Sequence, residues 1–322
     1  MSGWYDANLV LVQSTFVGLL LALSVQVPLR MGVFSFAGVG SYAIGAYTAA
    51  IVVIRWEAPA LLAIAAGALL ASFVGWLLAL LLHRLGGLYL GMATVAFDLI
   101  LSVVTTNGGE LTGGPTGLFG VIADISMAQI IGVTLIVVLL LAASERGRIG
   151  RRVEAVRDDP ELAAAMGINV RRYRQAAFVV SGLLGGCAGA INVLLRTTVG
   201  PADIGFGLVV LALTMIIIGG AKSWLGALIG AVVFTWLPSI LAVVGEWQQI
   251  IYGTIVALAA IWVPGGVLGL VTDAYRGIQQ RRRLKELAAA GAADVVEDHG
   301  ADEEDLAVLE ELAQESPVER QR

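Results

Sequence analysis

The sequence predicts an all-α polytopic membrane protein with about nine transmembrane helices. Its mean hydropathy is +0.85, and 58% of its 322 residues are hydrophobic, a larger share than in soluble domains. The apolar residues form long continuous runs, whereas the strands of a membrane β-barrel alternate apolar and polar residues. Nearly all basic residues fall in the connections on one side of these runs, as expected of a multi-pass protein.

The apolar runs give the order of helices along the chain. A helix needs about 20 residues to cross the bilayer core. The run at 206–220 is short for a full crossing, which is compatible with a broken or tilted helix. Residues 1–271 are therefore predicted to form one transmembrane domain. Its nine predicted spans are 9–27, 33–54, 60–82, 88–106, 126–143, 176–195, 206–220, 225–241 and 250–270.

The placement of charge predicts that the N-terminus lies outside the cell and the C-terminus in the cytoplasm. Of the 20 Lys and Arg residues, all but Arg55 and Arg196 then fall in cytoplasmic segments, as the positive-inside rule expects. The connection at 144–175 and the C-terminal tail are separated by an even number of predicted spans. Both can therefore lie on the cytoplasmic side.

The connection at 144–175 is the most charged segment within the transmembrane region, with eight Arg residues and five acidic residues. Water or a partner protein, and not the bilayer, must therefore determine its sequence. A short helix is predicted at 157–167, because Pro160 suits a first helical turn and Gly167 suits the position after a helix, where it would be left-handed. Either of the two Asp residues before Pro160 can cap this helix.

The predicted helix offers a small apolar face formed by Leu162, Ala165 and Met166. Helices this short rarely fold alone, so we expect the groove of a partner to complete it; a solvated loop is the alternative. Charged residues at its start can form charge-assisted bonds with that partner. The predicted partner-coupling residues are Arg157, Asp158, Asp159, Pro160, Glu161, Leu162, Ala165, Met166 and Gly167.

Two further features are candidates for a substrate path. Asp98 is predicted to lie deep within a span, where an ionised carboxylate costs about 2.5–3.5 kcal/mol, so it should face the bundle interior or a watery cavity. Its role is either to line the path or to pack helices together. The glycine-rich connection at 107–120 is predicted to be non-helical. Its candidate residues are Thr112, Gly113 and Gly114, and a plain connection is the alternative.

The sequence contains no set of residues that predicts catalysis, a metal site or a cofactor. Its two His residues are far apart, and it lacks the HExxH and GxSxG motifs. Cys187 lies in an apolar helix and is expected to be a small packing residue. The segment GGAKS at 219–223 lacks the glycine spacing of a phosphate-binding loop. We therefore expect no enzyme activity, and if the chain moves a solute against its gradient, the energy must come from another subunit or from an ion.

Residues 272–322 are predicted to form a charged cytoplasmic tail that is largely disordered. A basic cluster begins the tail, and acidic residues dominate after it, which argues against binding of nucleic acid. The apolar stripe of Leu306, Leu309 and Leu312 favours a short docking helix as the alternative for part of the tail.

The charged connection resembles the permease subunits of the branched-chain amino acid family of ABC importers, and most closely the second of their two permease types. The segment EAVRDDPELAAAMGINVRRYRQAAFVVSG is similar to the cytoplasmic signature of that family. Glu161, Ala163 and Gly167 fit its EAA-x-x-x-G spacing, with Leu162 in place of the first Ala.

Other segments extend the resemblance over about residues 10–270. LTGGPTGLFG resembles the outer-loop pattern of the family, and MIIIGGAKSWLGALIGA resembles a late span. FSFAGVGSYAIGAYTAA resembles an early span, and its Ser35 and Phe36 complete the candidates for the substrate path. The sequence departs from the family at Asp98, where Glu is familiar, and at 221–223.

The resemblance implies a subunit of an importer in a bacterial inner membrane. The expected partners are a second permease in a heterodimer, two cytoplasmic ATPases that carry the ATP and magnesium, and an extracytoplasmic substrate-binding protein. The expected substrates are branched-chain or related amino acids. The alternative function is that of an ion-coupled secondary transporter or channel that acts without ATPases, for which Asp98 is the one intramembrane candidate.

Overall fold

The computed structural model describes residues 2–241 except Arg146 and Lys222, together with isolated positions between 245 and 269. The predicted tail at 272–322 and most of the predicted ninth span at 250–270 lie outside the described residues. The described part contains ten α-helices: α1 (Ser2–Arg30), α2 (Ala37–Trp56), α3 (Ala60–Leu81), α4 (Gly87–Asn107), α5 (Met127–Glu145), α6 (Gly147–Asp158), α7 (Pro160–Ala165), α8 (Val170–Arg196), α9 (Phe206–Gly219) and α10 (Trp224–Leu241).

Eight helices in the described part of the chain are long and apolar enough to cross a membrane. They are α1 to α5, α8, α9 with the turn before it, and α10. The all-α polytopic fold is therefore confirmed, with boundaries within a few residues of the predicted spans in most cases. The largest differences are at two helix starts, since α1 begins at Ser2 and not at residue 9, and α8 begins at Val170 and not at residue 176. The side chain of Asn169 caps α8 by accepting a hydrogen bond from the Arg172 N–H at 3.1 Å.

The long helix α8 lies at the centre of the bundle, with its most extensive contacts to α2, α3 and α1. Its middle is built from glycine and alanine, which allow neighbouring backbones to approach closely. A β-carbon placed on Gly45 of α2 would collide with the backbone of Gly186 of α8, and one placed on Gly67 of α3 would lie 2.8 Å from the carbonyl oxygen of Gly45. These three helices therefore pack backbone against backbone.

The helices α4 and α5 are attached to the outside of this centre and leave most of their apolar surface exposed in the single chain. On α4, Ile100 and Val103 are exposed, and on α5 the same is true of Ile136 and Leu140. Within a membrane such faces meet lipid or another subunit, so exposure does not cost what it would cost in water.

The short span predicted at 206–220 is the continuous helix α9, and the break in the chain lies just before it. A 3₁₀ turn at Pro201–Asp203 precedes it, Gly205 is extended, and α9 then begins at Phe206. Just before this turn, the strand β2 (Thr198–Val199) pairs antiparallel with β1 (Leu118–Phe119).

The bundle therefore has two distinct ends. We call the end that carries the last turns of α1 and α5, the helices α6 and α7, and the first turn of α8 the charged end. The end that carries β1 and β2 is called the opposite end.

Candidate functional site

The helix α7, at the charged end, is capped at its N-terminus by Asp159. One carboxylate oxygen of Asp159 accepts hydrogen bonds from the backbone N–H groups of Glu161 and Leu162, both at 3.0 Å. Pro160 occupies the first helical position, where its missing N–H leaves no bond unmade. The first turn of this helix thus contains three predicted coupling residues, Pro160, Glu161 and Leu162, and a fourth, Asp159, caps it.

The C-terminus of α7 is closed by the left-handed backbone of Gly167, which has a φ of +81°. The Gly167 N–H donates to the Ala164 carbonyl and the Ile168 N–H donates to the Ala163 carbonyl, each at 3.0 Å. This pair of bonds is a Schellman motif, which satisfies carbonyls that the helix leaves free. A β-carbon on Gly167 would meet no atom within 4 Å, so the left-handed backbone angle, and not crowding, is what favours glycine here.

The predicted range 157–167 begins too early, although Pro160 does occupy the first turn of α7 as predicted. Arg157 and Asp158 form the last turn of α6, where the Arg157 Nε donates to the Asp158 Oδ1 at 3.0 Å. Asp159 is extended, with φ −148° and ψ 97°, because the residue before a proline is disfavoured in the α conformation. The chain therefore breaks at Asp159, and this residue rather than Asp158 provides the cap.

The apolar residues of α7 point in two directions. Ala163 is buried against the bundle, whereas Leu162 is 58% exposed and Met166 is 73% exposed. Ala165 is exposed beside them. The predicted apolar face is therefore present, and in the single chain it faces away from the bundle.

The helix α6 is not predicted from the sequence. Val153 and Val156 are its buried apolar side chains, and its other face carries exposed Arg148, Arg151 and Arg152. The spacing of the two valines was the available signal, but two apolar residues in a charged segment are too few to establish a helical period. This helix joins α5 to α7 and fixes the position of α7.

Asp98 lies on the inner face of α4 and is 2% exposed, so its predicted orientation toward the bundle interior is confirmed. Both carboxylate oxygens are buried, and the backbone of Gly40 is the one polar group near them among the described residues, at a geometry too poor for a good hydrogen bond. The carboxylate lies against Gly40 of α2, where a β-carbon would collide with it. One turn earlier on α4, the Thr94 Oγ1 accepts a hydrogen bond from the Phe36 N–H at 3.0 Å.

The candidates for the substrate path fall into two groups. Ser35 and Phe36 are buried at the start of α2, near Asp98. Thr112, Gly113 and Gly114 lie at the opposite end, where the Thr112 Oγ1 donates to the Thr105 carbonyl of α4 at 2.7 Å. The helix α4 contacts both groups, through Thr94 at one and Thr105 at the other.

The connection at 107–120 is not wholly irregular, so the prediction of a non-helical segment is partly wrong. It contains the 3₁₀ turns Gly109–Leu111 and Gly114–Thr116, because a 3₁₀ turn needs only three residues and its glycines permit the turns between them. It then pairs as β1 with β2, in the register Leu118 to Val199 and Phe119 to Thr198.

Comparisons with known proteins agree on one kind of protein. The profile of the family described as branched-chain amino acid transport system, permease component, matches residues 8–260. The chain is 25% identical to the high-affinity branched-chain amino acid transport system permease protein LivM of Escherichia coli (strain K12), over 86% of this chain and 72% of that protein.

Two further relatives are permeases of other import systems. The ribose import permease protein RbsC of Escherichia coli (strain K12) is 28% identical over 78% of this chain and 83% of its own length. The autoinducer 2 import system permease protein LsrC of Enterobacter sp. (strain 638) is 26% identical over 69% and 67%. No solved structure gives a significant match. Because the family profile covers most of the chain, including every membrane helix described above, the chain belongs to the family of permease components of branched-chain amino acid transport systems.

Proposed function

We propose that this chain is the membrane permease of an ATP-driven importer and that cytoplasmic ATPases dock on α7. One observation carries the proposal: α7 is closed by caps at both ends, yet its Leu162 and Met166 are exposed. A six-residue helix that lies outside the membrane spans and exposes two large apolar side chains is suited to the groove of a partner. Exposed arginines of the adjoining α6 add charges that can bond to acidic groups of that partner.

The bundle explains how docking could move the transport path. Ala163 anchors α7 on the bundle side, and Val153 and Val156 anchor α6. A partner that pulls on α7 therefore also pulls on helices that cross the membrane. In this proposal, ATP and magnesium are bound by the ATPases, and this chain contributes the helix that receives their movement.

The names of the relatives support a small polar solute as substrate. LivM is named for branched-chain amino acids and RbsC for ribose. Because the family profile that matches this chain is also the branched-chain amino acid one, we propose a branched-chain or related amino acid. The proposed complex includes a second permease, two ATPases and an extracytoplasmic substrate-binding protein, in a bacterial inner membrane.

Replacing Gly167 by Val tests the docking role of α7. A β-branched residue at a φ of +81° costs roughly 1–3 kcal/mol of strain. Since about 1.4 kcal/mol is a tenfold change in affinity, we expect Gly167→Val to weaken ATPase binding roughly 5- to 150-fold. Transport should fall with it, while the amount of permease in the membrane stays normal. The measurement is co-purification of the ATPases with the permease, alongside substrate uptake.

Gly167→Asn is the matched control. Asn tolerates the left-handed region far better than Val, and no neighbour obstructs a side chain at this position. It should keep most binding and transport. Normal ATPase binding and transport in Gly167→Val would reject docking on α7, and uptake without ATP in the wild type would favour the ion-coupled alternative.

The proposed orientation places the charged end in the cytoplasm, as the exposed arginines of α6 favour. We expect Glu57→Cys, in an exposed connection at the opposite end, to react with a membrane-impermeant maleimide in intact cells. Arg151→Cys on α6 should react only after the membrane is permeabilised. The natural Cys187 is buried and should give little background. Labelling in the reverse pattern would invert the proposed topology.

A further inference from the structure

Three helix ends meet at Glu145, the last residue of α5. One carboxylate oxygen of Glu145 lies 3.1 Å from the Arg30 Nη1 at the end of α1 and accepts a hydrogen bond from the Trp224 N–H at 2.9 Å. The other oxygen accepts from the Ser223 Oγ at 3.2 Å. Glu145 therefore pairs with α1 and at the same time caps the start of α10.

This junction is shielded from solvent, although all its members lie at the charged end. The side chains of Arg30 and Glu145 are 12% and 18% exposed. A partly buried charge-assisted pair is stronger than a surface ion pair, and a carboxylate at a helix N-terminus gains from the helix dipole. The three contacts therefore support one another.

Both ends of α6, the helix that leads to the proposed docking helix α7, lie next to the helix ends that Glu145 connects. A single residue separates Glu145 from Gly147, the first residue of α6. At the other end of α6, Gly32 in the turn after α1 lies against the backbone of Arg157, so closely that a β-carbon there would be 3.1 Å from the Arg157 Cα. A displacement of α6 and α7 must therefore press on the turn after α1 and on Glu145.

The centre of the bundle does not depend on Glu145. The close packing is between α8, α2 and α3, whereas α5 is largely exposed and touches α1 and α10 over small areas. Among the described residues, Glu145 is thus the main polar side chain that connects α5 and α6 to the rest of the bundle. A connection of this kind transmits movement more than it holds the fold together.

We propose that Glu145 is a positioning residue that carries the movement of α6 and α7 to α1 and α10 during transport. The proposal rests on the proposed function, since it assumes that ATPases move α7. Glu145 pulls α1 through Arg30 and the start of α10 through Trp224, so that these helices follow the docking segment as one unit. Without the carboxylate, the segment would move while α1 and α10 lag behind.

The test is Glu145→Gln in the complete complex of permeases, ATPases and binding protein, reconstituted in vesicles. Glutamine keeps the size of the side chain but loses the charge that holds Arg30. We expect ATPase binding and ATP hydrolysis to persist, while the amount of substrate taken up per ATP hydrolysed falls by roughly fivefold or more, as for loss of a typical coupling interaction. Arg30→Gln, which removes the other half of the pair, should lower the same ratio.

Glu57→Gln is the matched control, because Glu57 is an exposed carboxylate in the connection after α2, at the opposite end from the Arg30–Glu145 pair. Its ratio of uptake to hydrolysis should equal that of the wild type. An unchanged ratio of uptake to hydrolysis in assembled Glu145→Gln would overturn the proposal. Loss of assembly in both Glu145→Gln and Arg30→Gln would also overturn it, because the pair would then be purely structural. Failure of the wild-type complex to couple uptake to ATP would instead reject the proposed function.

Discussion

Replacing Gly45 by Val is expected to prevent α2 and α8 from packing together. The side chain would meet the backbone of Gly186, and backbone atoms in a helix cannot move aside as a flexible side chain can. Overpacking costs about 1–3 kcal/mol in ordinary cores, and here two of the three helices at the centre of the bundle must separate. We therefore expect the yield of monodisperse protein in mild detergent, and its thermal unfolding midpoint, to fall sharply.

Gly132→Val is the matched control within another membrane helix. Gly132 lies in α5, and a β-carbon there would meet no atom within 4 Å. The same substitution should therefore leave both the yield and the unfolding midpoint close to those of the wild type. Equal loss in the two variants would show that valine is harmful in any of these helices and that the Gly45–Gly186 approach is not special.

Replacing Asp98 by Asn or Leu is expected to lower transport while leaving the fold intact or making it more stable. The side chain is 2% exposed, and its carboxylate has no well-formed hydrogen bond among the described residues, with only the Gly40 backbone close by. Its removal relieves a cost of burial of up to about 2.5–3.5 kcal/mol. If Asp98 also serves the path, uptake of substrate must fall despite the gain in stability. The measurements are the thermal unfolding midpoint and the uptake rate at equal amounts of protein.

Asp124→Asn makes the same chemical change at an exposed site of the opposite end and should alter neither quantity. If Asp98→Leu takes up substrate at the normal rate, a role in the path is excluded and packing remains. If Asp98→Asn fails to assemble, the buried carboxylate stabilises the bundle, contrary to the reasoning from its burial.

The membrane helices could be predicted from the sequence because the bilayer demands one simple property over about 20 residues. The charged segment was harder, since water imposes no such uniform demand. The caps of α7 follow from local rules about proline and glycine, so Gly167 was placed correctly. Pro160 was also placed correctly in the first turn. The predicted range began too early and the choice between two capping Asp residues stayed open, because both satisfy the same rule unless the extended backbone before Pro160 is considered.

The junction at Glu145 could not be predicted, for a different reason. Its partners Arg30 and Trp224 are distant in sequence, and each lies at the edge of an apolar run where charged and aromatic residues are common in any membrane protein. Local patterns carry no information about which of these edges meet. The pairing of β1 with β2 was missed on the same grounds, since two strands of two residues each are too short to show alternation.

The double capping of α7 also bears on how fast a partner can bind. A segment that must fold as it docks loses conformational entropy at that moment, and its association is slowed by the rearrangement. Here Asp159 and Gly167 already fix the backbone of the helix in the free chain. The association rate should then be set mainly by how often the partners collide and by how well their side chains fit. We therefore expect the rate to depend on ionic strength more than on temperature-driven unfolding of the segment.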